Sequence, residues 1–173
     1  MDSAPAEAIY SKNMRGAQIG TIIGILFGCG WAIRASTALG GKSRVLAVLA
    51  SLAISAVLIV RSFRSSGTTS GTFDGGIYGI AVAFEVVAIL IAAIALNRSG
   101  NQSFVPPAVA IIVGLHFIGL WRAMNSAVFL WLAVALCVVG LTAAVLPPFQ
   151  RLPTTGLGSA IALWSAAIYT LAK

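Results

Sequence analysis

GGIYGIAVAFEVVAILIAAIAL, from Gly75 to Leu96, is a run of 22 residues whose one charge, Glu85, stands at its centre. A run this long and this apolar reads as a membrane-spanning helix, because about 20 residues cross a hydrocarbon layer of roughly 30 Å. A carboxylate halfway along it lies near the bilayer centre, where an ionised side chain costs roughly 2.5–3.5 kcal/mol on insertion scales. Glu85 must therefore be paired, protonated or close to water. Residues of this kind often mark proton or solute paths. The run points to a membrane protein with a polar centre and names no substrate.

Working outward, the whole chain has the same character. Of its 173 residues 59% are hydrophobic and 9% charged, with a mean hydropathy of +0.99. Soluble domains carry about 25% charged residues, so a soluble core is excluded. The net charge is +7, from 11 basic and 4 acidic residues. Most basic residues stand at or just beyond the ends of apolar runs, where they reach lipid headgroups. The basic balance is thus read as membrane anchoring, with the lipid bilayer as partner and no nucleic acid. Cys29 and Cys137 each fall within an apolar stretch, which does not suggest a secreted disulfide framework. The first apolar run is itself long enough to span and follows Asp2 and Glu7, so it is not read as a cleavable signal.

Six apolar runs are separated by polar, Gly or Pro breaks. After a polar tail at residues 1–15, spans are expected at about Gly16–Ile33, Val45–Val60, Gly75–Leu96, Pro106–Trp121, Ala127–Leu146 and Gly156–Ala172. The Ser/Thr/Gly-rich segment from Arg64 to Gly76 reads as a flexible exposed loop. Pro106-Pro107 suit a helix's first turn, and Pro147-Pro148 stop the fifth span. The expected fold is all-α, a polytopic bundle of six transmembrane helices with short loops, forming one domain over residues 16–173. An even number of spans puts both termini on one side. Six basic residues against five favour, narrowly, the cytoplasmic side of a bacterial-type membrane.

Ile22-Ile23-Gly24…Gly30-Trp31…Arg34-Ala35 and Ile111-Ile112…Gly114…Gly119…Trp121-Arg122-Ala123 correspond loosely. Two three-helix halves related in this way would form a 3+3 inverted repeat, the plan of many transporters. The match needs a gap and uses common membrane residues, so coincidence is the competing reading.

Within the spans few residues carry chemistry. Gly16, Gly20, Gly24 and Gly28 stand four apart on one face, a stripe that lets a neighbouring backbone approach closely. The neighbour belongs either to this chain or to another copy. Glu85 shares its face with Ala81, Ala88 and Ala92, which argues for a helix or cavity there rather than lipid. His116, the one histidine, lies within about 5 Å of the middle of the fourth span at roughly 1.5 Å per residue. Glu85 and His116 are thus expected at similar depth on sequential helices, as a proton relay or as a buried pair that sets helix register. Glu85 is expected to be neutral or paired with His116, since Arg34 and Arg122 stand at span ends. Trp31 with Arg34, and Trp121 with Arg122, read as interface anchors.

Cys29, Glu85, His116 and Cys137 are all of metal-ligand type, yet no local ligand motif joins them, and no metal or cofactor is expected. Gly40-Gly41-Lys42-Ser43 resembles the tail of a phosphate-binding loop. Its first glycine would have to stand where Ser36 is, and a span rather than a strand precedes it. No enzyme motif is complete. The function expected is passage of protons or a small solute through a midplane cavity near Glu85 and His116. The alternative is a non-catalytic accessory or scaffolding subunit of a membrane complex, or a homo-oligomer packed through the glycine stripe.

Overall fold

A computed structural model describes the backbone of residues 4–64 and 74–172 and the side chains of residues 20–64 and 74–172. Among them the secondary structure is helical throughout: α1 (Ala4–Ser36), α2 (Gly41–Arg64), α3 (Gly75–Arg98), a 3-10 turn (Gln102–Phe104), α4 (Val105–Met124), α5 (Ala127–Val145) and α6 (Pro148–Leu171). Four segments are long and apolar enough to cross a membrane: Gly41–Arg64, Gly75–Arg98, Gln102–Met124 and Ala127–Val145. Within the described side chains of α1 the stretch Gly20–Ser36 is also apolar, and α6 is not among the four.

Element boundaries differ most from the expected spans in two places. Helix α1 begins at Ala4, within the expected polar tail, because polarity does not oppose a helix where helix formers such as Ala6, Glu7, Ala8 and Lys12 stand. Helix α6 begins at Pro148, well before Gly156. Pro147-Pro148 therefore have two roles. They end α5 and also start α6, where a missing N–H costs nothing. The exposed loop expected between Arg64 and Gly76 lies largely outside the described residues.

Helix α1 lies between α2 and α6, and α4 lies between α3 and α5. The two groups join mainly where α6 packs on α5, with a smaller contact to α4. An exchange of α1–α3 with α4–α6 would relate the surroundings of α1 to those of α4. The correspondence stops there, because α6 packs well on α5 whereas α3 has no comparable contact with α2. The helix with most neighbours is α6. It turns Thr155, Gly156, Ser159, Ala160, Leu163 and Ala167 inward and leaves Leu157, Ile161 and Ile168 exposed. By contrast α3 has no buried residue and rests on α4 and the 3-10 turn.

Lipid tails are as apolar as leucine, so helices in a bilayer gain little from burying hydrophobic side chains against each other. Close packing must hold them instead. Glycines supply it at several interfaces. A Cβ at Gly140 on α5 would stand 2.6 Å from Ile111 Cγ1 and 2.8 Å from the Pro107 carbonyl oxygen of α4. One at Gly156 on α6 would meet Ala35 Cβ at 2.6 Å and the Trp31 carbonyl oxygen at 2.7 Å. Around these contacts Val113, Leu132, Leu136 and Leu163 form one buried cluster, and Ile25, Leu58 and Ala167 another.

At the end of the bundle, Arg151 joins two connections. Its Nε donates to the Leu146 carbonyl oxygen at 3.0 Å, and a terminal guanidinium nitrogen donates to Ser103 Oγ at 2.7 Å. The guanidinium also lies 3.6 Å from the centre of the Phe104 ring.

Gly140→Val should force α4 and α5 apart and lower stability in detergent by about 1–3 kcal/mol or more, as overpacking does. A thermal-unfolding series including Gly30→Val, at a position where a Cβ meets nothing within 4 Å, is the check. Equal loss at both positions would contradict the packing described.

Candidate functional site

The pairing of α3 with α4 begins at Asp74, just before α3. Its side chain caps the helix, with Oδ1 accepting from the Gly76 N–H at 2.9 Å and the Ile77 N–H at 3.0 Å. Its backbone N–H donates to the Ala123 carbonyl oxygen near the end of α4 at 2.9 Å. The start of α3 is thereby fastened to the end of α4. Two turns further along, Ala81 meets Gly119 so closely that a Cβ on Gly119 would stand 2.7 Å from that of Ala81. One more turn brings Glu85 opposite His116.

Glu85 Oε2 lies 3.5 Å from His116 Nδ1, with side-chain exposures of 16% and 8%. The distance suits an ion pair when the ring is protonated. It is not a hydrogen bond as placed, since Nδ1 has no hydrogen-bond partner. A small approach would bring the two groups within hydrogen-bond distance. The imidazole is seated edge-on to Phe117, with ring centres 5.7 Å apart, and Phe117 stacks on Phe129 of α5 at 6.0 Å.

A groove of about 330 Å³ runs beside the pair on the outer side of α3 and α4. Ile77, Ile80 and Phe84 form one wall, Leu115 and His116 the other, and the Ala81–Gly119 contact its floor. From Ile77 to the level of Glu85 is about 12 Å at roughly 1.5 Å per residue. On the opposite side the half-buried Ile89 and Val109 pack against the buried cluster of Val113, Leu132, Leu136 and Leu163. The pair thus has open space toward the Asp74 end and packed side chains toward the other.

The remaining residues singled out in the sequence are dispersed. Gly28 packs on α6, where its Cβ would meet Trp164 Nε1 at 2.8 Å. Gly20 and Gly24 have nothing within 4 Å of an added Cβ, and Gly16 lies outside the described side chains. Trp31 is half-buried against the cluster around Leu136, and Trp121 is half-buried on α4. Arg34 and Arg122 are exposed at the ends of α1 and α4, away from Glu85. Cys29 donates weakly to the Ser51 carbonyl oxygen at 3.8 Å, between α1 and α2. Cys137 makes the same contact with Ile111, between α5 and α4. Among the described residues no three His, Cys, Asp or Glu side chains come together as a metal site.

Two determinants of the site were not singled out in the sequence, and of a third only the residues were, not their contact. The Asp74 cap sets the register of α3 on α4, and Asp before Gly-Gly at a helix start is the signal that marks it. The Ala81–Gly119 contact sets the distance between the helices, and both residues lie on the faces carrying Glu85 and His116. The groove has no sequence signal, because its walls are ordinary membrane residues.

Comparison with protein families, curated proteins and solved structures finds no match to the chain. The fold and its four long apolar helices have the character of a multi-pass membrane protein.

If Glu85 and His116 act on each other, their substitutions are not additive. A double-mutant cycle of Glu85→Gln and His116→Gln should give a coupling energy of about 0.5–3 kcal/mol. Additive losses in unfolding free energy would show that the two groups do not interact.

Proposed function

We propose that this chain is a six-span integral membrane protein in which Glu85 and His116 bind a proton at the middle of the bilayer and pass protons, alone or with a small solute, across it. The observation that carries the reading is the 3.5 Å approach of a carboxylate and an imidazole on facing helices. Each makes the other's charged form tolerable in hydrocarbon. The groove toward Ile77 is walled by apolar side chains on the outer side of the bundle, so entry from the Asp74 end also requires water to be admitted beside α3. Release to the other side requires the packed side to open. Helix α3 is the element to move, because it has no buried residue and rests on α4 and one short turn. A shift of α3 about the Ala81–Gly119 contact would expose the pair alternately to the two sides.

For the six-span arrangement, α6 has the length of a span at about 36 Å, taking roughly 1.5 Å for each residue. Its hydroxyl-bearing Thr155 and Ser159 face inward, and exposed Ile161 and Ile168 face outward. Helix α1 packs along it. Both termini then lie on one side, which we assign to the cytoplasm of a bacterial-type membrane.

Protein reconstituted in vesicles with an internal pH dye should conduct protons down an imposed gradient, and Glu85→Gln should lower that flux at least about tenfold, a barrier increase of roughly 1.4 kcal/mol. Flux unchanged in the variant would remove this function.

A second reading has its own observation. Gly20 and Gly24 face open space on α1, a surface a second copy can approach closely to make a homo-oligomer, or a partner subunit can cover in a membrane complex. On this reading Gly24→Leu should reduce self-association by tenfold or more, about 1.4 kcal/mol, measured by cross-linking in vesicles at graded protein-to-lipid ratios. Undiminished cross-linking would eliminate that surface as the contact.

A further inference from the structure

We propose that the end of the bundle around Arg151 is a saturable site for the phosphate of one anionic phospholipid, and that it takes this lipid in preference to a zwitterionic one. The inference uses neither the Glu85–His116 pair nor proton passage.

Charge decides what this end attracts. Gly156 approaches Ala35 closely and Arg151 donates to Ser103, which brings together the end of α1, the start of α6 and the 3-10 turn before α4. The α1–α2 connection and the end of α3 lead directly into them. These connections carry Arg34, Lys42, Arg44, Arg98 and Arg151, and none of the chain's four acidic residues stands in them. A phosphate is drawn to every one of these bases. The ammonium of a zwitterionic headgroup would find cations here and no carboxylate, so a lipid of net negative charge is favoured.

Arg151 differs from the other four bases. Arg34, Lys42, Arg44 and Arg98 are exposed and reach headgroups as snorkelling side chains do. Arg151 is half-buried and held in one orientation from three sides, by the Leu146 carbonyl, the Ser103 hydroxyl and the Phe104 ring. A guanidinium already fixed loses little freedom on binding, and its planar fork matches two oxygens of a phosphate. Nε–H and one terminal N–H are used in the bundle. The remaining N–H groups have no partner among the described residues, and no carboxylate there pairs with the charge. Ser103 Oγ accepts from Arg151, which leaves its own hydrogen to donate. A phosphate seated beside them accepts from both.

The same corner offers a surface to acyl chains. Val145 and Phe149, on either side of the link from α5 to α6, are 84% and 73% exposed. In a bilayer these side chains meet hydrocarbon next to the headgroup layer. The occupant is therefore a lipid rather than a water-soluble phosphate.

The test is native mass spectrometry of the full chain, titrated in detergent with phosphatidylglycerol and with phosphatidylcholine. Phosphatidylglycerol should fill one site first and bind about tenfold more tightly than phosphatidylcholine, as one charge-assisted hydrogen bond gives. Arg151→Gln should bring the two lipids within about twofold, the loss of that bond. Ser103→Ala leaves the guanidinium on Leu146 and Phe104, so it tests the site even where Arg151→Gln fails to fold. It should weaken phosphatidylglycerol by about threefold, the size of a neutral hydrogen bond. Arg44→Gln removes the same charge from an exposed position at this end and should change binding by less than about twofold. Inorganic phosphate in large excess should not displace the lipid.

Equal affinity for the two lipids would overturn the proposal, as would a preference that survives Arg151→Gln or phosphatidylglycerol binding untouched by Ser103→Ala. A loss with Arg44→Gln as large as that with Arg151→Gln would show a diffuse attraction of the whole end in place of a site. Displacement by inorganic phosphate would give the site to a free anion and remove the lipid.

Discussion

A carboxyl group halfway along an apolar helix needs a partner before that helix can rest in hydrocarbon. The arrangement of α3 follows from this constraint. The helix contributes no buried residue to the bundle, so apolar packing alone gives it little reason to adopt one register over another. Glu85 supplies the reason, since His116 on α4 is the basic group the structure brings within reach. Sliding α3 by one turn, about 5.4 Å, would leave both groups unpaired in a low-dielectric layer. Asp74 reinforces the same register from the end of the helix by joining its backbone to Ala123.

Elsewhere the bundle is held by closeness rather than polarity. Gly114 and Gly140 bring α4 and α5 into backbone contact, Gly28 and Gly156 bring α1 to α6, and Gly158 brings α6 to Val139 of α5. Each is a place where a methyl group would collide. The hydroxyl groups inside are mostly absorbed locally, with Ser51, Ser62 and Thr155 donating to carbonyls of their own helices. Ser55 Oγ, Ser159 Oγ and Trp164 Nε1 are buried without such a partner. Beside the closely packed group around α6 stands α3, which has no buried residue and carries the carboxylate of the polar pair.

Much was legible in the chain, for physical reasons that can be named. Helix positions followed from apolar run lengths, because the bilayer imposes them, and helix starts at Pro106-Pro107 followed from the missing proline N–H. The similar depth of Glu85 and His116 followed from the short connection between their helices. Less legible were the limits of α1 and α6, since polar residues such as Glu7, Gln150 and Arg151 are good helix formers as well as loop formers. Nor were the contacts of Arg151 with Ser103 and Phe104 legible, because those residues are distant from it in sequence.

By itself, then, the sequence determined an all-helical chain with several apolar helices and a carboxyl and an imidazole at similar depth, because composition and run length are local quantities. Tertiary structure alone decided that α3 lies at the edge, that α6 sits among the most neighbours, and that the Glu85–His116 pair lies beside a groove on the outer side rather than in a cavity between halves. Those outcomes depend on which glycine meets which backbone. In hydrocarbon the differences between such pairings come from short-range contacts, and these are settled only when the helices meet in three dimensions.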